Sequence, residues 1–191
     1  NNITTVLKDG EILYDRNFLS SVEASRYFKI IRNETAWQQD QIKVFGKVYD
    51  QPRLTALYAN NNFPYSYSNI TMYPSPFSAT LLEIKEKVEQ QLKKEFTTCL
   101  LNLYRHGQDS NGWHADNEKE LGKNPIIASV SLGAERMFHM KHRTDNSQKI
   151  KINLIHGSLL VMSGSTQHYW LHQIPKTKKH VEERINLTKF Y

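Results

Sequence analysis

The second half of this chain is a succession of short apolar runs, and this pattern restricts the fold more than any other feature of the sequence. Gly, Asn, Asp or Pro lies in or beside most of the gaps between the runs. Such spacing is typical of an all-β barrel or sandwich. The runs are Cys99–Tyr104, Ile126–Leu132, Arg136–Met140, Ile150–Leu154, Ser158–Met162, His168–Ile174 and Arg184–Leu187.

Two helices are predicted before this series begins. Ser20 and Glu23 have the spacing of a capping box, which predicts a helix that continues to about Ile31. A second helix, over about 78–94, is predicted because apolar residues recur at i, i+3, i+7 and i+11. These residues are Leu81, Ile84, Val88 and Leu92. The chain is therefore predicted to be mainly β with flanking α-helices.

Length and composition favour a single domain. A chain of 191 residues can bury one sizeable core but is short for two. We expect residues 1–191 to form one domain, with helices and hairpins over about 1–96 and the β core over about 97–191. No apolar run approaches the roughly 18 residues that a membrane span needs, so no membrane association is expected.

Net charge and cysteine content indicate which kind of partner and which cellular compartment to expect. The net charge of +6 suits a polyanionic partner, although a solvated basic surface is at least as common. The one cysteine, Cys99, excludes an internal disulfide framework and a thiolate zinc site. A reducing compartment is weakly favoured, and we expect an intracellular protein of the cytoplasm or nucleus.

A His-x-Asp pair, His114 and Asp116, is a candidate metal site. Residues i and i+2 of a strand point to the same side, so the two side chains could bind one ion together. A third ligand would complete the two-His-one-carboxylate triad that holds Fe(II). His168 and His172 are both candidates on one predicted strand face, and spacing does not choose between them. By itself the pair is weak, since a polar loop at a strand end gives the same pattern.

Arg184 opens another predicted inward-facing strand. A buried arginine needs a partner, because an unpaired buried charge is costly. A dicarboxylate co-substrate that chelates iron at one end could offer its far carboxylate to this guanidinium. Asn102 and Tyr104, another i and i+2 pair, could add hydrogen bonds to it. Each residue alone could be a structural polar group, so the prediction depends on their combination.

From about Val44 to Thr188 the sequence resembles the AlkB-type nucleic-acid dealkylases. The resemblance implies a double-stranded β-helix (jelly-roll) core with an N-terminal nucleotide-recognition region. The motifs that carry it are Pro52-Arg53-Leu54-Thr55, Tyr65-Ser66-Tyr67-Ser68, Asn102-Leu103-Tyr104, Trp113-His114-Ala115-Asp116-Asn117-Glu118, 125–134, His156-Gly157-Ser158-Leu159-Leu160 and Arg184-Ile185-Asn186-Leu187-Thr188.

The resemblance also implies roles for individual residues. It favours His172 over His168 as the third iron ligand, and it assigns Arg184 to the far carboxylate of 2-oxoglutarate. The residues that complete the co-substrate site are then Asn102, Tyr104 and Thr188. One position departs from the family pattern, since Phe190 stands where the family has a second arginine. Lys189 has the wrong strand parity to replace that arginine. Either the co-substrate is held differently here, or the sequence is incomplete at this point.

The activity implied by the resemblance is oxidative removal of alkyl groups from bases such as 1-methyladenine and 3-methylcytosine, with release of formaldehyde. It requires Fe(II), 2-oxoglutarate and O2. The expected substrate is alkylated DNA, with RNA as a second candidate, and a monomer is expected to act on it. Glu118 would favour the cationic base, Tyr67 would stack on it opposite His114, and Tyr65 would form a hydrogen-bonding wall. Each tyrosine could instead belong to the core, and Glu118 to the solvated surface.

The segment Val44-Phe45-Gly46 resembles the wedge hairpin of homologues that prefer duplexes, in which an apolar side chain fills the gap left by an extruded base. A buried strand residue is the alternative, and the choice between duplex and single strand stays open. Arg53 is a candidate phosphate contact, as are the lysines at 176, 178 and 179. Two other functions are compatible with the sequence: a 2-oxoglutarate oxygenase with a different substrate, and a non-catalytic jelly-roll module that binds nucleic acid.

Overall fold

The computed structural model describes the backbone of residues 2–190 and the side chains of residues 4–188. Within that range there are fifteen strands, three α-helices and a short 3-10 helix at Lys119–Leu121. The helices are α1 (Ser21–Glu34), α2 (Ala79–Leu92) and α3 (Thr166–Tyr169). The strands are β1 (Asn2–Leu7), β2 (Gly10–Asp15), β3 (Gln41–Val44), β4 (Lys47–Asp50), β5 (Leu54–Ala59), β6 (Tyr65–Tyr67), β7 (Ile70–Met72), β8 (Thr98–Tyr104), β9 (Asn111–His114), β10 (Ile127–Gly133), β11 (Arg136–His142), β12 (Lys149–Leu154), β13 (Leu159–Ser163), β14 (Trp170–Ile174) and β15 (Arg184–Phe190).

Two antiparallel sheets form the body of the molecule. The major sheet has seven strands in the order β1-β2-β13-β10-β15-β8-β5, and the minor sheet has four in the order β12-β11-β14-β9. Every residue of β8 is buried, because this strand lies inside the major sheet, between β15 and β5, and is covered on both faces. The minor sheet instead alternates buried and exposed residues, as expected when one face meets solvent.

The helices cover the outer face of the major sheet. In α1, Ser20 accepts a hydrogen bond from the backbone N–H of Glu23, and the Glu23 carboxylate accepts one from the backbone N–H of Ser20, so the predicted capping box is confirmed. The hydroxyl of Ser78 caps α2 by accepting a hydrogen bond from the backbone N–H of Leu81. Both helices bury apolar residues in one cluster with β8, β10 and β15. A second apolar cluster fills the space between the two sheets.

The predicted mainly β fold with flanking helices is confirmed, and most predicted runs are strands. The run His168–Ile174 is not a single strand. Residues up to Tyr169 form the short helix α3, and the strand begins only at Trp170. The expectation that His168 and His172 share a strand face is therefore wrong. His168 is exposed, whereas His172 faces the space between the sheets.

The sequence patterns do not predict β1 and β2, which pair as a hairpin at one edge of the major sheet. The signal that could have predicted them is Asp9-Gly10, since Asp9 has a φ of 56° at the turn. Strand β5 joins the same sheet at its other edge. The major sheet thus takes strands from both sides of residue 96.

Candidate active site

Three side chains converge at the edge of the minor sheet. His114 is the last residue of β9 and pairs directly with His172 of β14. Asp116 lies two residues beyond β9 and is buried. The Nε2 atom of His172 lies 3.6 Å from Asp116 Oδ2, and that of His114 lies 3.9 Å from Asp116 Oδ1. One ligand atom from each residue lies within 4.8 Å of the others.

Neighbouring groups fix the orientation of these side chains. His114 Nδ1 lies 2.7 Å from the carbonyl oxygen of Gly112. A carbonyl only accepts, so Nδ1 carries the proton and Nε2 keeps a lone pair directed at the site. The backbone N–H of Asp116 donates to Oε1 of the buried Gln167 at 2.8 Å. Phe138 stacks on the His172 ring with centroids 5.3 Å apart.

The donor set fits Fe(II). Two imidazoles and one carboxylate on one side of an ion form the facial triad of non-haem iron sites, and they leave coordination positions open. The hydrogen bond from His114 to a backbone carbonyl is the outer contact that metal-binding histidines usually make. The chain therefore contains three side chains that could bind Fe(II) and neighbouring groups that orient two of them.

Arg184 is the second functional group of the site. Its side chain is among the largest fully buried ones, and Nη2 donates to Ser131 Oγ at 2.9 Å. Nε and Nη1 have no hydrogen-bond partner among the described side chains. Burial lowers the pKa of Arg184 to about 10, so the group is still a cation at neutral pH. A buried cation with unsatisfied N–H groups fits a carboxylate, which would accept from both.

One cavity of about 320 Å³ joins the triad to Arg184. Asn102 and Tyr104 of β8 line it, and they pair with Asn186 and Arg184 of β15. The Arg184 guanidinium carbon lies 5.2 Å from the centroid of the Tyr104 ring. Thr188 lines the same cavity. The volume is of the size that small ligands occupy. The predicted iron and co-substrate residues therefore meet in one cavity.

The residues predicted to bind the base divide into two groups. Tyr67 and Glu118 line the cavity, and the Tyr67 hydroxyl accepts a hydrogen bond from Gln51 Nε2 at 3.3 Å. Tyr65 is buried in the apolar cluster against which Tyr67 packs, and it is not among the residues that line the cavity. Its ring lies 5.9 Å from that of Tyr67, behind the cavity wall, which is the position expected of the alternative, core packing.

Arg53 does not lie on the surface either. It is 8% exposed, and it donates to Asn102 Oδ1 at 3.2 Å and to the Ser110 carbonyl at 3.0 Å. The expected phosphate contact stays a prediction, and it would have to be made from inside the cavity rather than on the open surface. This position places the guanidinium in the wall of the cavity, where it holds Asn102. The lysines at 176, 178 and 179 are exposed, as a phosphate contact requires.

Phe45 and Gly46 form the two-residue turn between β3 and β4, with φ of 48° and 78°. Positive φ at both positions is a tight hairpin turn that strongly prefers Asn-Gly, and phenylalanine is strained there. Phe45 is fully exposed, at 101%, and Val44 is 41% exposed. The alternative of a buried strand residue is therefore wrong.

Sequence patterns do not identify Gln167 and Ser131, because a single Gln or Ser at a contact carries no spacing signal. They also do not identify Arg136, which is buried and donates to the carbonyls of Asp109 and Pro175 at 2.8 and 2.7 Å. The side chain of Phe190, at the departure from the family pattern, lies outside the described residues.

Comparisons with known proteins identify the family and the fold of this chain. A family model for the 2OG-Fe(II) oxygenase superfamily matches residues 11–189. The OsALKBH1 structure superposes with a TM-score of 0.66 at 17% identity, covering 97% of this chain and 98% of that one. A prolyl hydroxylase from Trichoplax adhaerens, in complex with a peptide fragment of hypoxia inducible factor, gives a TM-score of 0.63 at 13% identity, covering 93% and 81%. These two likenesses show the jelly-roll fold.

Curated relatives are closer in sequence. The chain is 42% identical to alpha-ketoglutarate-dependent dioxygenase alkB homolog 3 of Bos taurus, over 90% of this chain and 62% of that protein. It is 32% identical to DNA oxidative demethylase ALKBH2 of Mus musculus, over 87% of this chain and 74% of that protein. The chain belongs to the 2OG-Fe(II) oxygenase superfamily and, within it, to the AlkB homologues. It spans about 62% of the length of the alkB homolog 3 proteins that it matches.

Proposed function

We propose that this protein removes alkyl groups oxidatively from damaged bases in nucleic acid, with DNA as the first candidate and RNA as the second. The observation that carries the proposal is one cavity with an iron-type triad and the buried, incompletely hydrogen-bonded Arg184. Its relatives include proteins named alkB homolog 3 and DNA oxidative demethylase, which supports a base as the substrate.

In this proposal His114, Asp116 and His172 hold Fe(II). When bound, the iron and 2-oxoglutarate supply the activation of O2 that hydroxylates the alkyl carbon, and the product then loses formaldehyde. Arg184 binds the far carboxylate of 2-oxoglutarate through a charge-assisted pair of hydrogen bonds. The further contacts assigned to the co-substrate come from Asn102, Tyr104 and Thr188, which line the same cavity.

Tyr67 and Glu118 are proposed to select the base. A methyl group on N1 of adenine or N3 of cytosine blocks base pairing, so the damaged base costs less to extrude. The same methyl group makes the base cationic, and a carboxylate at the cavity wall favours the cation. Glu118 lines the cavity close in sequence to the triad, and Tyr67 offers an aromatic face in the same wall.

The β3–β4 hairpin is proposed to contact the strand that carries the lesion. Its exposed apolar side chains are Val44, Phe45, Val48 and Tyr49. Exposed apolar groups of this size are costly unless they meet a partner, and bases supply one.

The proposal takes the protein as a monomer that acts as a single catalytic domain, because the triad and Arg184 line one cavity and the reaction needs no second copy. None of the helices in the described part of the chain is long and apolar enough to cross a membrane. A nucleic-acid substrate supports a location in the nucleus or the cytoplasm.

The test is to measure succinate and formaldehyde release with Fe(II), 2-oxoglutarate and a single-stranded oligonucleotide that contains one 1-methyladenine. The proposal predicts that both products appear in equal amounts and only with the methylated strand. Succinate that forms equally without the oligonucleotide would point to another substrate. Absence of both products from iron-loaded protein would point to a binding module.

A further inference from the structure

The outer face of the minor sheet is strongly basic. Strand alternation directs Phe138, Met140 and His172 into the core, so the residues between them point to solvent. The polar and charged outward residues on the three strands β11, β12 and β14 are His139, Lys141, Lys149, Lys151, Asn153 and Gln173. None of the four strands of this sheet contains Asp or Glu.

The positive charges lie directly opposite one another. Lys141 pairs with Lys149 in the register of β11 and β12, and His139 pairs with Lys151. Like charges at directly opposed positions destabilise a sheet. Burial, and after it the positive charge of the nearby Lys151, lower the pKa of His139.

These lysines have no acidic partner among the side chains that the structure describes. Among the side chains of residues 4–188, Lys141, Lys149 and Lys151 form no ion pair. Two carboxylates lie at the ends of the β11–β12 pair, and both contact residues other than these lysines. Glu135 accepts from Asn153 Nδ2 at 2.6 Å, and Asp145 pairs with Lys8 Nζ at 2.8 Å. The face is therefore complementary to an anion.

This face continues to the edge of the active site. Trp113 precedes His114 on the edge strand β9 and is 39% exposed. The Lys141 ammonium lies 4.2 Å from the centroid of the Trp113 ring, which is a cation–π contact. This contact connects the basic face with β9, the strand that ends at His114. Neighbouring strands lie about 4.8 Å apart, which puts β12 about 14 Å from β9. A few nucleotides of single strand span that distance.

We propose that the outer face of the minor sheet binds the sugar-phosphate backbone of single-stranded nucleic acid that flanks the base in the cavity. Lys141, Lys149 and Lys151 are the phosphate contacts. The inference rests on the proposed function, because it takes a nucleic acid as the substrate. It adds a second contact surface, separate from the cavity and from the β3–β4 hairpin, and it predicts that affinity depends on strand length.

The test compares two oligodeoxynucleotides with one 1-methyladenine each, about 5 and about 20 nucleotides long, which bracket the site sizes common for single-strand binders. The variant carries Lys141→Gln, Lys149→Gln and Lys151→Gln. A matched control carries Lys29→Gln, Lys93→Gln and Lys94→Gln, which remove the same charge from exposed positions on or beside α1 and α2. Fluorescence anisotropy gives the dissociation constants over a range of salt concentrations.

For the long strand, we expect the minor-sheet variant to bind about tenfold or more weakly at low salt. Its plot of log affinity against log salt should be shallower by about 2, because each phosphate contact on a single strand contributes about 0.7. Binding and demethylation of the short strand should fall much less, because a short strand reaches fewer of the three lysines. The melting temperature should stay the same or rise, since the variant removes the opposed lysines.

The proposal would be overturned if the slope of log affinity against log salt were the same for the variant and the control. An acidic protein would then be the remaining candidate partner of this face. Equal losses on the short and long strands would also overturn the proposal, because the lysines would then act on the cavity. A failure of the proposed function is a different result: unmodified, iron-loaded protein would not demethylate the short strand.

Discussion

His172 lies directly opposite His114 across the β9–β14 pair, with ring centroids 4.2 Å apart. This register brings the two imidazoles and Asp116 to one point at the sheet edge, while His168 lies exposed on α3. Strand pairing therefore favours His172 over His168 as the candidate third ligand, a choice that residue spacing leaves open.

Substituting His172 by Ala removes one of three ligands and should weaken metal affinity by more than about 100-fold, a larger loss than is usual for outer contacts. Titration of the metal-free protein with Co(II), followed by absorbance, measures this affinity. His168→Ala is the matched control and should bind the metal as the unmodified protein does. If His168→Ala lost the metal and His172→Ala kept it, the assignment of the third ligand would be wrong.

Gln167 should act as a positioning residue for Asp116. Its Oε1 accepts the backbone N–H of Asp116, and its Nε2 lies 3.4 Å from Met162 Sδ. Gln167→Leu keeps the volume but removes the acceptor, so we expect metal affinity to fall about 10- to 100-fold, as for other outer contacts of metal sites. Co(II) titration together with the melting temperature separates this effect from unfolding. A large loss of stability with unchanged metal affinity would contradict the positioning role.

Arg184→Lys should raise the 2-oxoglutarate concentration needed for half-maximal turnover by about tenfold or more. The lysine keeps the charge but loses the fork of N–H groups that a carboxylate accepts from in pairs. Succinate release measured over a range of 2-oxoglutarate concentrations gives the value. Arg32→Lys is a control at a partly exposed arginine, which pairs with Glu183 at 3.0 Å, and should leave the value unchanged. An unchanged requirement in Arg184→Lys would show that another group holds the co-substrate.

Local patterns in the sequence predict much of the fold, because capping, helical periodicity and alternating strands are local properties. They do not predict that residues before His172 form a short helix, since Thr166–Tyr169 has neither the length nor the periodicity of a typical helix. The burial of Arg53 and Tyr65 also depends on contacts with distant strands. Arg53, for example, is held by Asn102, 49 residues further along the chain.

The residues of the candidate site also divide into those that sequence patterns predict and those that they do not. The pair His114 and Asp116 is visible in the sequence, and the buried setting of Arg184 is predicted from its strand. The role of Gln167 is not, because it depends on one hydrogen bond across 51 residues. A side chain that orients a ligand through a single long-range contact leaves no repeating pattern.

Phe45 should act as a wedge in duplex substrates. Its side chain is fully exposed on a strained turn of the β3–β4 hairpin, where it contributes nothing to a core. Extruding a base from a duplex costs a few kcal/mol, and a side chain that fills the gap offsets part of that cost. Phe45→Ala should therefore slow repair of double-stranded substrate about tenfold or more, since each 1.4 kcal/mol corresponds to a factor of ten. Repair of the single strand should be nearly unchanged, and so should the melting temperature.

The measurement is formaldehyde release from the same methylated strand, alone and annealed to its complement. Phe63→Ala changes another phenylalanine that is 79% exposed and serves as the control. Equal losses on both substrates would make Phe45 a general binding residue rather than a wedge.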